Sequence, residues 1–175
     1  MNSKKLHPMR LILGVLLFLI AFSVSARGVY QSNQDFLDET FEQVVPKSKV
    51  IWVKGDVRQT LSELLGHPYQ GMRVRYWQQQ AKSVWVLDEI GKTEAITFGI
   101  VIVANKIDSM KVLAFRESRG GEIRYPAFTQ QFNGAQLQGQ QLDRHIDGVS
   151  GATLSVRAMT SVAEVALYLD NIINQ

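Results

Sequence analysis

The chain of 175 residues contains no cysteine. It therefore cannot form disulfides, thiolate metal sites, iron–sulfur clusters or c-type haem attachments, and it has no cysteine nucleophile. Histidine is also scarce, with three residues in all. Neither His67 nor His145 has a second ligand at metal-binding spacing, so we expect no metal site. Packing alone must hold the fold together.

Outside its first ten residues, the chain also has no excess of positive or negative charge. Of the 19 lysines and arginines, Lys4, Lys5 and Arg10 lie in the first ten residues. The remainder carries 16 basic against 16 acidic residues, and no basic stripe is interleaved with aromatic residues. Because nucleic-acid binding depends on concentrated positive charge, the composition predicts no nucleic-acid partner.

The first 26 residues are typical of a targeting segment. Residues 11–26, LILGVLLFLIAFSVSA, carry no charge. This run is shorter than the about 20 residues of a membrane span, but it suits a secretory signal. Small residues at 24–26 predict cleavage before Arg27; the alternative is an uncleaved inner-membrane anchor. Because the basic flank stays inside in both cases, we expect a periplasmic protein.

We divide the chain into residues 1–26 as signal or anchor, 27–80 as a helical and strand segment, and 81–175 as the core of the same domain. Residue patterns predict an α+β fold, with an antiparallel sheet of four to six strands and packed helices. Asn105 and Lys106 are the predicted turn of one hairpin, and 116–126 is a predicted loop. The predicted strands are residues 49–53, 71–77, 82–91, 95–104 and 107–115, and a further short strand is predicted at the end of the polar link 134–146. The predicted helices are Phe36 to Val44, 56–66, 126–134 and a last helix that begins at Thr153.

Large apolar side chains supply the expected core. Along the last helix an apolar stripe runs from Val156 through Met159 and Val162 to Ile173. Aromatic residues near a short helix usually pack in the core, and strand tryptophans do so too. We therefore assign the following side chains to packing: Trp52, Trp77, Trp85, Tyr125, Phe128 and Phe132.

The segment DGVSGATLS, residues 147–155, precedes the last helix. One interpretation is a helix start with Ser150 or Thr153 as N-cap. Gly148 and Gly151 would then allow close approach to the backbone, and a helix N-terminus favours a phosphate group. A second interpretation is a serine hydrolase using Ser150, because the segment approaches G-x-S-x-G. No histidine follows His145, which does not fit the chain order of that fold.

A third interpretation rests on a resemblance. Residues 147–153, DGVSGAT, resemble the D-x-x-[ST]-G-A-T signature of the FMN-binding domain family. That family includes the C subunit of the sodium-pumping NADH:quinone oxidoreductase and the G subunit of the Rnf complex. The resemblance implies that Thr153 is joined to FMN by a phosphoester bond made by a periplasmic flavin transferase. It also implies that the site is shaped by Asp147, Gly148, Ser150, Gly151 and Ala152.

The resemblance extends over about residues 81–174. The segment ESRGG resembles the family's E-T-P-G-L-G loop: Glu117, Ser118 and Gly120 keep the acid, hydroxyl and glycine, and Arg119 replaces proline. The resemblance therefore implies that residues 117–120 bind the cofactor. Arg119 and Arg124 are either solvated or placed to favour a reduced, anionic flavin. His145 is a candidate for hydrogen bonding at the flavin site.

The function that the resemblance implies is electron transfer by covalent FMN, from a membrane or periplasmic donor to another carrier. FMN would carry the redox chemistry and the protein would position it, with no catalytic residue of its own. This describes a redox subunit rather than a stand-alone enzyme. The alternative is a non-redox envelope assembly module, or one that holds a phosphate ligand reversibly.

Overall fold

The computed structural model describes residues 28–175, so the predicted signal or anchor lies outside the described residues. A five-stranded antiparallel sheet has the order β1-β2-β3-β4-β5, and a separate two-stranded sheet pairs β6 with β7. This architecture confirms the α+β prediction. The strands are β1 (Lys49–Trp52), β2 (Arg73–Gln79), β3 (Lys82–Ile90), β4 (Ala95–Val103), β5 (Lys106–Phe115), β6 (Leu137–Gln138) and β7 (Gln141–Leu142). The helices are α1 (Asn33–Thr40), α2 (Gly55–Leu65), α3 (Pro126–Thr129) and α4 (Thr153–Ile173), with 3₁₀ turns at Gly121–Arg124 and Gln130–Phe132.

The β4–β5 turn differs from the prediction by one residue. Val103 pairs with Lys106, so the two turn residues are Ala104 and Asn105 rather than Asn105 and Lys106. Both have positive φ, 50° and 62°. A two-residue turn with positive φ at both positions matches the twist of a hairpin, and Asn tolerates that conformation well. Lys106 is therefore free to begin β5.

Helices cover both faces of the sheet. On one face α2 and α4 enclose the main core, in which Trp85, Phe98 and Met159 are fully buried. On the other face α1 packs Phe36 against Gly99, where an added Cβ would lie 2.6 Å from the phenylalanine ring. Because Gly99 has no side chain, that ring can lie directly on the strand. The sheet is thus buried on both faces over β3 to β5.

The predicted core is confirmed for most side chains. Phe128, Phe132 and Trp85 are buried, and so are Met159 and Val162 of the α4 stripe, whereas Val156 and Ile173 at its ends are partly buried. Trp77 is partly buried. The prediction was wrong for Trp52, which is 59% exposed, and for Tyr125, which is half exposed. Val44 is also exposed, because α1 ends at Thr40 and does not carry its apolar stripe that far.

Within α4 the structure buries one acid. Asp170 is 1% exposed and accepts a hydrogen bond of 2.5 Å from Ser83 Oγ, which in turn accepts one from Trp85 Nε1. Burial raises the pKa of Asp170, although the hydrogen bond from Ser83 opposes this effect. The carboxylate ties the C-terminal part of α4 to β3.

Two further results concern residues 28–175 as a whole. None of the helices there is long and apolar enough to cross a membrane. In the same part of the chain, no three histidine or acidic side chains come together as a potential metal site.

Candidate functional site

A tight turn leads into α4. The N–H of Ala152 donates to the carbonyl of Val149 over 2.9 Å, which closes a four-residue turn. Gly151, the third residue of that turn, has φ of 80°. A residue with a Cβ is strained in this left-handed region, so the sequence needs glycine at this point. The turn fixes the direction of α4 and exposes its first residue, Thr153.

The N-terminus of α4 has no side-chain cap. Ala152 occupies the N-cap position and makes no capping hydrogen bond. The prediction of Ser150 or Thr153 as N-cap was therefore wrong. Thr153 is already the first helical residue, and Ser150 belongs to the preceding turn. The N–H groups of the first helical turn thus remain available to an external acceptor, at the end of the helix that carries partial positive charge.

The loop of residues 116–120 packs against this helix start. Gly120 is buried and has φ of 86°. A Cβ on Gly120 would lie 2.7 Å from Ser155 Oγ and 3.2 Å from the Cβ of Ala152. Glycine is required here twice over, by backbone conformation and by close packing. Because Ala152 carries only a methyl group, loop and helix can meet at this distance.

Glu117 holds the other end of this loop. Its Oε1 accepts hydrogen bonds from the backbone N–H groups of Lys92, Thr93 and Glu94, at 2.5, 2.6 and 2.9 Å. Burial acts to raise the pKa of Glu117, but these N–H groups outweigh it and lower the pKa. The carboxylate therefore organises the β3–β4 turn and joins it to the loop.

These three segments enclose a cavity of about 620 Å³. Its volume lies within the range of pockets that hold small molecules or cofactors. Its two basic residues, Lys92 and Arg119, lie near the positive end of α4. The lining consists of Lys92, Glu117, Ser118, Arg119, Gly151, Ala152, Thr153, Leu154 and Ser155.

The structure thus brings together most of the predicted site. Six predicted residues line the cavity: Glu117, Ser118, Arg119, Gly151, Ala152 and Thr153. Gly120 supports the wall from behind through its contact with Ser155. Sequence reasoning missed Lys92, Leu154 and Ser155. Lys92 lies in the gap between two predicted strands, which marks it as a turn residue but does not show what the turn faces.

The other three predicted residues lie outside the cavity lining. Asp147, Gly148 and Ser150 are exposed on the segment before the helix. The Asp147 N–H donates to Gln131 Oε1 over 2.7 Å, and its carboxylate lies 3.9 Å from His145 Nε2. His145 is largely exposed and is likewise absent from the lining. These residues precede the turn into α4 and do not line the cavity itself.

A second cavity of about 370 Å³ lies on the far side of the 117–120 loop. Arg124 lines this cavity. Its guanidinium carbon lies 4.9 Å from the ring centroid of Tyr30 and 4.6 Å from that of Tyr125. Arg124 also donates hydrogen bonds to both tyrosine hydroxyls. Arg124 is therefore held apart from Thr153, whereas Arg119 lines both cavities.

The main cavity can bind an anionic group with specific geometry. It combines a free helix N-terminus, two cations and an exposed hydroxyl on Thr153, all of which favour a phosphate. The antiparallel sheet also separates this fold from the hydrolase that a nucleophile at Ser150 would require, because that elbow follows a strand of an α/β sheet.

Comparison with known proteins agrees with this chemistry. Residues 91–168 match the model of a family described as FMN-binding domain. The matched segment runs from the β3–β4 turn into α4 and contains every residue that lines the main cavity. The comparison with curated proteins found no match. Residues 91–168 are therefore similar to the FMN-binding domain family, and this match supports an FMN-binding protein.

Proposed function

We propose that the protein is an exported electron carrier whose FMN is attached through a phosphoester to Thr153. The observation that carries the proposal is the position of this threonine. It is exposed, it begins α4 at a helix N-terminus without a side-chain cap, and it lines the 620 Å³ cavity. A hydroxyl placed there can bear a phosphate that also accepts hydrogen bonds from the helix N–H groups.

The residues of the cavity fit FMN in two respects. The cations Lys92 and Arg119 and the helix N-terminus complement a phosphate dianion. Leu154 and the small side chain of Ala152 add apolar surface for a flat ring system. The close contact of Gly120 with the helix start keeps the wall of the cavity compact.

When bound, FMN supplies the redox chemistry, and the chain supplies attachment, orientation and charge. When the phosphoester forms, the Oγ–H bond of Thr153 and one P–O bond of the flavin donor would break, and the proton would leave with the displaced oxygen group, so the protein gains one FMN less one water. Arg119 would favour negative charge on the cofactor, because no acid of the lining is free to neutralise it: Glu117 is engaged by the β3–β4 turn.

Export supports a covalent link on physical grounds. The sequence of residues 1–26 favours a secretory signal or anchor. A cofactor held only by reversible contacts is diluted away outside the cytoplasm, whereas a phosphoester retains it. We infer that a periplasmic flavin transferase makes the bond and that a membrane or periplasmic donor and acceptor exchange electrons with the cofactor.

The test is the intact mass of the full chain after co-expression with a flavin transferase. We expect the wild-type mass to rise by one FMN less one water, and Thr153→Ala to show no rise. Ser150→Ala is the matched control, because it removes a nearby hydroxyl outside the cavity lining and should keep the rise.

Electron transfer has a separate readout. The loaded wild-type protein should lose its flavin absorbance on chemical reduction and recover it when a soluble electron acceptor is added. An unshifted wild-type mass would contradict covalent attachment and would favour reversible phosphate binding. Loading of Thr153→Ala at the wild-type level would show that the bond forms elsewhere.

A further inference from the structure

One end of the sheet is left uncovered on the α1 side. The alternation of β1 and β2 places Ile51, Val74 and Tyr76 towards the main core. In the register of the two strands, Val50 lies opposite Arg75 and Trp52 opposite Arg73. Because neighbouring side chains on a strand point to opposite faces, these four share the outer face.

Lys54 extends the same face. It has extended backbone angles, φ −148° and ψ 162°, directly after the buried Val53. The alternation along the chain therefore continues through positions 50, 52 and 54. We call this set the β1–β2 outer face; it consists of Val50, Trp52, Lys54, Arg73 and Arg75, all exposed.

The helix that covers this side of the sheet does not reach these residues. Phe36, Leu37 and Phe41 of the α1 region pack on Val84 of β3, Val101 of β4 and Leu113 of β5. Trp77 marks the limit of that cluster and is only partly buried. Beyond it Trp52 is 59% and Val50 is 39% exposed. An indole this accessible on a flat sheet surface suggests a binding role.

The charges of the face are of one sign. It carries Lys54, Arg73 and Arg75, and each arginine lies directly opposite an apolar side chain of β1. Asp88 of β3 lines a cavity together with Arg73 and Arg75, and its carboxylate accepts a hydrogen bond of 2.6 Å from Thr97 Oγ1. Asp56 follows Lys54 at the start of α2 and is exposed.

Tryptophan alternating with basic residues matches the chemistry of a lipid headgroup region. Trp is favoured at membrane interfaces, and basic side chains are attracted to anionic lipid surfaces. The centre of a protein–protein interface is instead depleted of charge. Addition of a partner strand is disfavoured too, because β1 has four residues and carries Lys49 at the sheet edge.

We propose that the β1–β2 outer face docks on an anionic membrane surface. Trp52 and Val50 enter the headgroup region, while Arg73, Arg75 and Lys54 contact lipid phosphates. This surface is built from residues 50–75, outside the FMN-binding domain segment of residues 91–168. The proposal therefore does not depend on covalent attachment or on electron transfer.

The test measures the contact of Trp52 with lipid in the full-length protein. Brominated phosphatidylglycerol vesicles quench tryptophan near the headgroups, and subtraction of a Trp52→Phe variant isolates this residue from Trp77 and from the buried Trp85. We expect quenching of Trp52 at low ionic strength that is lost in high salt and is absent with brominated phosphatidylcholine vesicles.

Charge variants make the test specific. Arg73→Glu should weaken the quenching by about fivefold or more, given about one kcal/mol for each basic residue at such a surface. Lys106→Glu is the matched control, because it makes the same charge change at the exposed first residue of β5. It should leave quenching within about twofold of the wild type, and the melting temperatures of both variants verify that they are folded.

Three results would overturn the proposal. The first is absence of Trp52 quenching with anionic vesicles at low salt. The second is equal weakening by Arg73→Glu and Lys106→Glu, which shows a general charge effect. The third is burial of Trp52 on self-association without lipid, seen as a concentration-dependent emission shift, which identifies a second copy of the chain as the occupant.

Discussion

Replacing Gly120 by alanine tests whether the 116–120 loop is held by direct contact with the start of α4. The added methyl group would lie 2.7 Å from Ser155 Oγ and 3.2 Å from the Cβ of Ala152. Both distances are shorter than ordinary van der Waals contact, so loop and helix must separate. Residue 120 also has φ of 86°, where alanine is strained.

The two effects can be estimated separately. Left-handed backbone costs a non-glycine residue roughly 1–2 kcal/mol. Overpacking at a well-packed contact costs roughly 1–3 kcal/mol more. We therefore expect Gly120→Ala to lower the free energy of unfolding by roughly 2–5 kcal/mol and the melting temperature by several degrees.

Gly139 provides the matched control. It also has positive φ, 68°, but a Cβ there would meet nothing within 4 Å. Gly139→Ala should therefore show the backbone cost alone, and the difference between the two variants in urea unfolding isolates the packing effect. In a double variant, Ser155→Ala should recover part of the loss, because it removes the nearest atom and leaves the contact with Ala152.

Equal destabilisation by Gly120→Ala and Gly139→Ala would refute this reasoning. So would a Ser155→Ala effect that simply adds to that of Gly120→Ala, because atoms in contact should be coupled. A second readout follows from the position of the contact. If it supports the cavity wall, Gly120→Ala should bind FMN more weakly under conditions in which it remains folded.

The shifted pKa values of Glu117 and Asp170 give two further predictions about how stability depends on pH. Glu117 has a lowered pKa, so its stabilising effect is present above about pH 4.5 and is lost as the pH falls through its folded-state pKa. Glu117→Gln should therefore lower the melting temperature at pH 7, and this loss should shrink as the pH falls below about 4.5; a loss that does not change as the pH falls would contradict the role of its charge. Asp170 has a raised pKa, so its favourable contribution is lost as the pH rises through that value. Asp170→Asn, which keeps an oxygen for Ser83, should show a smaller decline in melting temperature between pH 4 and 8 than the wild type.

Local patterns were enough to predict most of the secondary structure. Turn residues and alternation located β3, β4 and β5, because short antiparallel connections leave few other pairings. The left-handed Gly66 ends α2 as expected for a C-terminal glycine. The start of α4 at Thr153 was also predicted correctly, whereas its cap was not, since a cap depends on the backbone angles of individual turn residues.

Contacts between distant segments could not be predicted in this way. The sequence indicated Glu117 as a candidate for cofactor binding, but the structure engages its carboxylate with the turn of residues 92–94. The assignment of Trp52 to the core failed for a similar reason. Whether a strand face is covered depends on where α1 ends and which strands it crosses.

The sequence by itself determined the strands, the last helix and the motif that ends in Thr153, because these depend on neighbouring residues. The tertiary structure decided which motif residues face the cavity. Gly151, Ala152 and Thr153 do, whereas Asp147 and Ser150 do not. It also brought Lys92 and Arg119 to the same cavity across 27 residues of sequence. Lys92 and Arg119 line the same cavity because of the β3–β4 register and the contact of Gly120 with α4. Both are long-range packing effects, which cannot be predicted from neighbouring residues in the sequence.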